Sequence, residues 1–279
     1  MLTYPDIDPV AISLGPLKVR WYGLMYVLGF LAAWWLARRR AAQPTSTWSA
    51  TDVDDLIFFS ALGVILGGRL GWVLFYGTEE VIAEPLRLFR IWEGGMSFHG
   101  GLIGVLIAIS IFAKRRGRRI ADVFDFTAPL PALGFLFGRI GNFINGELWG
   151  KPTDVPWAFV VNGTPLHPSQ LYEATLEGLV LFMLLWWFTS TPRPRLAPSG
   201  LFLVGYGVFR FAVEFVRVPD ENRGYLLFDW VTMGQILSTP MIIAGVILLV
   251  IAYRRNEPSG NYQTAAATKP VPDGRAARR

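Results

Sequence analysis

Residues 138–150, GRIGNFINGELWG, set a guanidinium (Arg139), two amides (Asn142 and Asn145) and a carboxylate (Glu147) at the end of a stretch, 130–137, apolar enough to lie in lipid. A buried arginine in such a place costs about 3 kcal/mol on insertion scales unless an anion or a carboxylate meets it, so charge there points to function. A second constellation runs through Tyr206, Arg210, Glu214 and Arg217, whose spacings of four, four and three stack them on one helical face. One reading makes Arg210 and Glu214 a self-neutralising pair. The other starts from charge: Glu214 alone does not compensate Arg210, Arg139 and Arg69, which leaves an excess that an outside anion would answer. Glu214 then orients Arg210 or pairs with Arg217 while Arg210 keeps donors free, and a guanidinium fork suits a phosphate.

His99 opens HGGLIG (99–104) and has two readings. It satisfies backbone groups at a helix start, or it serves a ligand that Gly100 and Gly101 let approach an amide-rich helix N-terminus. As a neutral imidazole, with a reference pKa of about 6.5, it could also act as a base. His167 lies in HPSQ, which reads as a turn entering a helix. Glu147 is either a cap or a ligand-contacting carboxylate, and Arg69, in GGRLG, reads as a structural or lipid-contacting cation.

The elements that hold these groups must use the bilayer as solvent, because 52% of the 279 residues are hydrophobic and 11 are Trp. Seven stretches are long enough to cross a hydrocarbon core of about 30 Å: 21–37, 56–76, 98–113, 123–143, 171–189, 201–218 and 231–253. Sixteen of the 26 Lys and Arg fall after the first, third, fifth and seventh of them, which puts those connections in the cytoplasm, the N-terminus outside and the C-terminus inside. The fold class expected is therefore an all-α polytopic membrane protein with seven transmembrane helices. This topology brings Tyr22, His99, Arg139, Asn142 and the HPSQ segment to the outer face, and Arg210 near the midplane or in the outer half.

Residues 1–19 are expected as an extracytoplasmic arm, either lying on the outer surface or untethered. The membrane domain covers 20–253, with outer loops near 77–97, 144–170 and 219–230, and 254–279 reads as a disordered cytoplasmic tail. No cleavable leader is evident in the first twenty residues, so the first span is expected to anchor the chain. The net charge of +5 is mostly positive-inside excess and gives no support to nucleic-acid binding. Zero cysteines exclude disulfides, thiolate metal sites and a cysteine nucleophile from this chain, so any thiol in the chemistry must arrive with a substrate. Gly63, Gly67 and Gly71, and Gly134 with Gly138, form small-residue faces for close helix packing. Pro129 and Pro131 are expected to bend the fourth span.

These motifs resemble those of the prolipoprotein diacylglyceryl transferases of the bacterial cytoplasmic membrane. GRIGNFINGELWG is similar to that family's signature, and WYGLMY (21–26), HGGLIG, HPSQLYEA (167–174) and GYGVFRFAVEFVR (205–217) support the resemblance up to about residue 253. It implies a seven-helix inner-membrane enzyme, active in the outer half of the bilayer, that moves the diacylglyceryl group of phosphatidylglycerol to the lipobox cysteine thiol of a prolipoprotein signal peptide. Glycerol phosphate is released, a thioether forms, and neither a metal nor an organic cofactor is required. On this reading Arg139 and Arg210 grip the phosphate and stabilise the leaving group, and His99 is the candidate base. The family match has Tyr22, Asn142, Glu147, Gly150, Tyr206 and Glu214 orient the lipid or the arginines. The rival class is a transporter or flippase for an anionic lipid, which would also want arginines in a cavity; the inverted repeats it calls for are not visible.

Overall fold

The computed structural model describes residues 1–5, 7–15, 17–219, 224–226, 228 and 230–263. Three short strands come first: β1 (Leu2–Thr3), then β2 (Val10–Leu14) paired antiparallel with β3 (Leu17–Arg20), which leads into α1 (Trp21–Ala41). α2 (Ala50–Phe75) starts at a reciprocal cap in which Ser49 accepts from the Asp52 amide at 3.0 Å and Asp52 accepts from the Ser49 amide at 3.1 Å. α3 (Thr78–Ala83) and two 3-10 turns, Pro85–Phe89 and Ile91–Glu93, occupy the connection to α4 (Phe98–Arg115). α5 (Ile120–Thr127), α6 (Pro131–Ile144), β4 (Phe159–Val161) and β5 (Thr164–Leu166) follow. α7 (Ser169–Glu173), a π-helical stretch Ala174–Val180 and α8 (Leu181–Phe188) run on as one helix. The last two are α9 (Ala197–Val213) and α10 (Met233–Arg255), the latter capped by Thr232 and Gln235 as α2 is by Ser49 and Asp52.

The chain is a largely helical, polytopic membrane protein. Among the described residues four helices, Ala50–Phe75, Phe98–Arg115, Ser169–Phe188 and Met233–Arg255, are long and apolar enough to cross a membrane. α5 with α6 makes a fifth, bent by 45° at the break. The bend falls at Pro129 and Pro131, which have no amide to donate into the preceding turn. α1 and the 17-residue α9 occupy the first and sixth expected stretches, but α1 dilutes its apolar run with Arg38, Arg39 and Arg40, and α9 is short.

Strands depart from the all-α expectation. β4 and β5 form a hairpin whose turn is Asn162-Gly163, both at positive φ (50° and 81°), the backbone such two-residue turns demand. β1 adds to it in parallel, with Leu2 opposite Phe159. The Tyr4 hydroxyl then donates to the Phe143 and Ile144 carbonyls at 2.8 and 3.1 Å, so the N-terminal arm is tied to the end of α6.

Glycine faces decide the helix pairing. A Cβ on Gly67 would lie 2.4 Å from the Gly100 carbonyl oxygen, and one on Gly104 would lie 2.1 Å from that of Gly63, so α2 and α4 pack backbone to backbone. Gly100 is thereby committed to α2 rather than left open for a ligand. A Cβ on Gly29 of α1 would lie 3.3 Å from the Gly134 Cα of α6, but a Cβ on Gly134 or Gly138 would meet nothing within 4 Å among the described residues, so the face expected at 134 and 138 does not make a contact of the α2–α4 kind.

The main hydrophobic core gathers where α1, α2, α4 and α5 end or begin, around Ala37, Trp48, Leu56, Phe112, Val123 and Phe126. Trp48 stacks on Phe126 with ring centroids 3.9 Å apart, and the Arg118 guanidinium lies over its ring at 4.2 Å. The segment after α10 packs here as well, although disorder was expected from residue 254. Asn256, in a left-handed conformation, ends α10, and Asn261 is buried, accepting from the Trp48 indole at 2.8 Å and donating to the Asp122 carbonyl at 2.7 Å. One aspartate, one amide and one indole are what a composition average over a polar tail conceals. Residues 264–279 of that tail, and half of the 219–230 loop, lie outside the described residues.

Candidate active site

Arg139 lies on α6, two turns beyond Pro131, and its Nε is 2.5 Å from Glu173 Oε2. Glu173 is the last residue of α7 and is fully buried. Its other oxygen receives Arg210 from α9 at 2.6 Å, and Arg217 from the segment beyond α9. Three guanidiniums from three parts of the chain therefore converge on one carboxylate. Glu214 closes the network, with Oε1 2.6 Å from Arg210 Nη2 and 3.1 Å from Arg217 Nε, and with Oε2 accepting from the Thr232 hydroxyl at 2.6 Å. Glu177, one turn along the π-helical stretch, stands 3.7 Å from Arg210 Nη1, and neither of its oxygens accepts a hydrogen bond. Local widening of a helix by an extra residue in the turn is a frequent mark of a functional site, and here it lies at the buried carboxylates.

Exposure sorts the two charge types. The arginine side chains keep 23, 16 and 12% of their surface for residues 139, 210 and 217, whereas the glutamates keep 0, 0 and 5% for 173, 177 and 214. The carboxylates form the back of the site and the guanidiniums its front. Each guanidinium also retains a nitrogen with no partner among the described residues: Nη2 of Arg139, Nε of Arg210 and Nη2 of Arg217. Donors of that kind, held by ion pairs from behind, are preorganised for an anion arriving from the open side.

The remaining residues expected from sequence divide into those inside this network and those beside it. Asn142 accepts from Arg139 Nη1 at 3.4 Å and donates to Glu147 at 2.7 Å, and Asn145 donates to Glu147 at 3.3 Å, so the GRIGNFINGE signature is one hydrogen-bonded chain. Gly150 pairs with Arg217 through a backbone bridge, and its amide donates to the His167 carbonyl at 2.8 Å. A Cβ there would fall 2.5 Å from the Val216 oxygen, so only glycine lets this strand-like contact hold Arg217 in place. Tyr206 is one turn before Arg210, its ring 5.0 Å from that of Phe135. Tyr22 rests against Gly141 of α6 and shares a 3.2 Å hydroxyl contact with Tyr26.

Two groups have no bond to this network among the described residues. His99 is exposed at the start of α4, with its ring edge 5.6 Å from that of Phe98, and no hydrogen bond or ion pair joins it to the arginines. Ser97 caps that helix by accepting from the Gly100 amide at 3.2 Å, so backbone satisfaction is not what His99 supplies. Arg69 is buried and donates to the carbonyls of Leu88, Gly94 and Gly95 at 3.0, 2.6 and 2.8 Å, as well as to that of Arg87. It fastens the 77–97 loop and takes no part in the charge network, which corrects the sum of unpaired cations made from sequence. Burial, and secondarily Lys151, keep the His167 imidazole below its ordinary pKa, and its Nδ1 meets the Tyr172 hydroxyl at 3.1 Å.

Glu173 and Glu177 were not among the sequence-based candidates. The signal was present: two carboxylates at a spacing of four inside an apolar helix violate the same cost that singled out Arg139. They answer the excess of positive charge, three cations against three anions, from within the chain.

Comparison with known proteins places the chain among relatives. Residues 9–251 match the prolipoprotein diacylglyceryl transferase family. A phosphatidylglycerol–prolipoprotein diacylglyceryl transferase of Methylococcus capsulatus is 61% identical over 259 residues, 91% of this chain and 99% of that protein. Its counterpart in Pseudomonas aeruginosa is 58% identical over 259 residues, 92% and 97% of the respective chains. Another, from Nitratidesulfovibrio vulgaris, is 58% identical over 253 residues, 90% and 96%. The chain belongs to the prolipoprotein diacylglyceryl transferase family.

Proposed function

We propose that this protein transfers the diacylglyceryl group of phosphatidylglycerol to the lipobox cysteine of a prolipoprotein. The observation that carries the reading is the convergence of Arg139, Arg210 and Arg217 on Glu173, each guanidinium with a donor to spare. The phosphodiester lies across those donors. The thiolate attacks the glyceryl carbon next to the phosphate, the carbon–sulfur bond forms as the carbon–oxygen bond breaks, and glycerol phosphate departs. Negative charge grows on that leaving group, so cations fixed in advance lower the barrier.

The protein lies in the bacterial cytoplasmic membrane. It crosses that membrane seven times, with α1 and α9 as the first and sixth crossings, the N-terminus outside and the basic connections in the cytoplasm. The arginines are then in the outer half of the bilayer, within reach of two membrane-anchored substrates. Asn142 and Glu147 steady Arg139, Gly150 steadies Arg217, Glu214 orients Arg210, and Tyr22 and Tyr206 line the approach of the lipid. A thiol with a reference pKa of about 8.5 needs a base near neutrality. His99, exposed and with no side-chain hydrogen bond or ion pair among the described residues, is the group assigned to that task. Replacing His99 with Gln is expected to depress turnover and to flatten its dependence on pH; unchanged turnover across the pH range takes His99 out of the proton transfer.

The direct test is to incubate the purified protein with phosphatidylglycerol and a lipobox peptide and weigh the peptide by mass spectrometry. Addition of a diacylglyceryl mass at cysteine is the expected result. An unmodified peptide, with lipid moved between leaflets instead, would replace the transferase reading with a flippase.

A further inference from the structure

With all three carboxylates ionised the charge cluster is neutral: Arg139, Arg210 and Arg217 against Glu173, Glu177 and Glu214. A phosphodiester brings one more negative charge. In surroundings where the carboxylates are almost wholly withdrawn from water, an uncompensated charge is costly, and buried sites commonly relieve it by moving a proton.

The three carboxylates are not equal candidates for that proton. Glu173 is met by three guanidiniums, and Glu214 by two guanidiniums and the Thr232 hydroxyl. Glu177 has one cation at 3.7 Å and no hydrogen bond to either oxygen, although it is fully buried. The groups that face it are Glu173 on its own helix, Tyr206 and Arg210 on α9, Arg139 from α6, and Arg217 beyond α9. Among its charged neighbours Arg210 is the nearest cation, and Arg210 already serves two other carboxylates.

We infer that Glu177 takes up one proton when a phosphodiester lipid binds across Arg139, Arg210 and Arg217, so that lipid and proton enter together. The inference rests on the placement of the phosphate in the proposed function. Its consequence is an affinity tied to pH by linkage: each proton bound with the lipid makes the dissociation constant rise about tenfold per unit of increasing pH where Glu177 is ionised in the free protein. When glycerol phosphate leaves, it carries the added charge and the proton away, and the neutral cluster is restored.

Calorimetric titration of the detergent-solubilised full chain with dihexanoyl phosphatidylglycerol, in buffers of different ionisation enthalpy on the alkaline side of neutrality, where Glu177 is ionised in the free protein, counts the protons directly. About one proton per bound lipid is expected for the native protein, and close to none for Glu177→Gln, whose affinity should also lose its pH dependence. Dihexanoyl phosphatidylcholine, with no net charge, should draw no proton into either protein. Lipid binding without proton uptake in the native protein overturns the inference and leaves the transferase reading intact, as does equal uptake in Glu177→Gln. Failure of the native protein to bind phosphatidylglycerol or to modify the lipobox peptide overturns both. Should Glu177→Gln not fold, the native proton count still decides.

Discussion

The bent pair α5–α6 has a carboxylate near one end and a guanidinium near the other, and the two are treated in opposite ways. Asp125 accepts from the Leu196 amide at 2.7 Å, the Ser199 amide at 3.1 Å and the Ser199 hydroxyl at 2.6 Å, and so caps α9 from a neighbouring helix. Asp122 beside it accepts from Arg195 at 2.8 Å and from the Gly260 amide at 3.0 Å. At the other end Glu177 accepts no hydrogen bond, and three arginines keep unused donors. Both ends bury charge, but one is saturated by its own backbone and the other is left open. Saturated polar groups specify structure, while open ones hold capacity for a ligand. The closed end is also the end with the large hydrophobic core.

Removing Glu173 breaks this contrast most severely. Glu173→Ala leaves Arg139, Arg210 and Arg217 crowded around an empty, buried position. The loss of the shared partner of such a group costs about 3–5 kcal/mol of stability. Thermal unfolding in detergent should show it as a large drop in melting temperature, together with loss of transfer. Next comes Arg139→Ala, in which the protein stays inserted, because Glu173 retains two cations, but transfer falls by about 10²–10³-fold or more. Membrane fractionation and the peptide mass assay check the two halves of that statement, and full activity would remove Arg139 from the mechanism. At the saturated end Asp125→Ala strands the cap of α9 and is expected to cost about 1–3 kcal/mol. The rate per folded molecule should not change, and a proportionate loss of rate would show that the ends are not separate in kind.

What could be read in advance follows the same division. Apolar runs fixed the positions of the long helices, since the bilayer imposes length and composition on any crossing. The bend followed from Pro129 and Pro131, and a closely packed face on α2 from Gly63, Gly67 and Gly71, because each acts through a local backbone property; that α4 is the partner is a tertiary fact. Arg139, Asn142, Glu147, Arg210 and Glu214 were recognisable as polar groups in an apolar setting. Glu173 and Glu177 carry the same signal, a charge inside an apolar helix, but the turn residues of HPSQLYEA just before them mask it, because a helix that begins in a turn usually begins at the surface, whereas this one already buries Ser169 and Gln170. The ordered segment 256–263 was hidden for a different reason: it depends on Trp48 and Asp122, more than a hundred residues away, and not on its own propensity. Asn162-Gly163 is itself a hairpin signal, local to two residues and independent of helix periodicity.

Asn261 gives the mildest and the sharpest test of the two-ended description. Its side chain bridges the Trp48 indole and the Asp122 carbonyl, and Thr47 hydrogen-bonds to the backbone on either side of it, its amide to the Asn261 carbonyl at 3.1 Å and its hydroxyl to the Gly260 carbonyl at 2.6 Å. Asn261→Ala leaves the indole N–H and the Asp122 carbonyl without those partners. The segment after α10 can lift and let water reach them, which keeps the cost near 1 kcal/mol. Amide hydrogen exchange should therefore quicken in residues 256–263 and around Trp48, with a small fall in melting temperature. Because no bond of this bridge reaches the arginines, lipid affinity and transfer rate should match those of the native protein. If exchange instead quickened around Glu173 and Arg210, the saturated end would be bracing the open one, and the distinction between structural and functional charge would fail at the position where it costs least to examine.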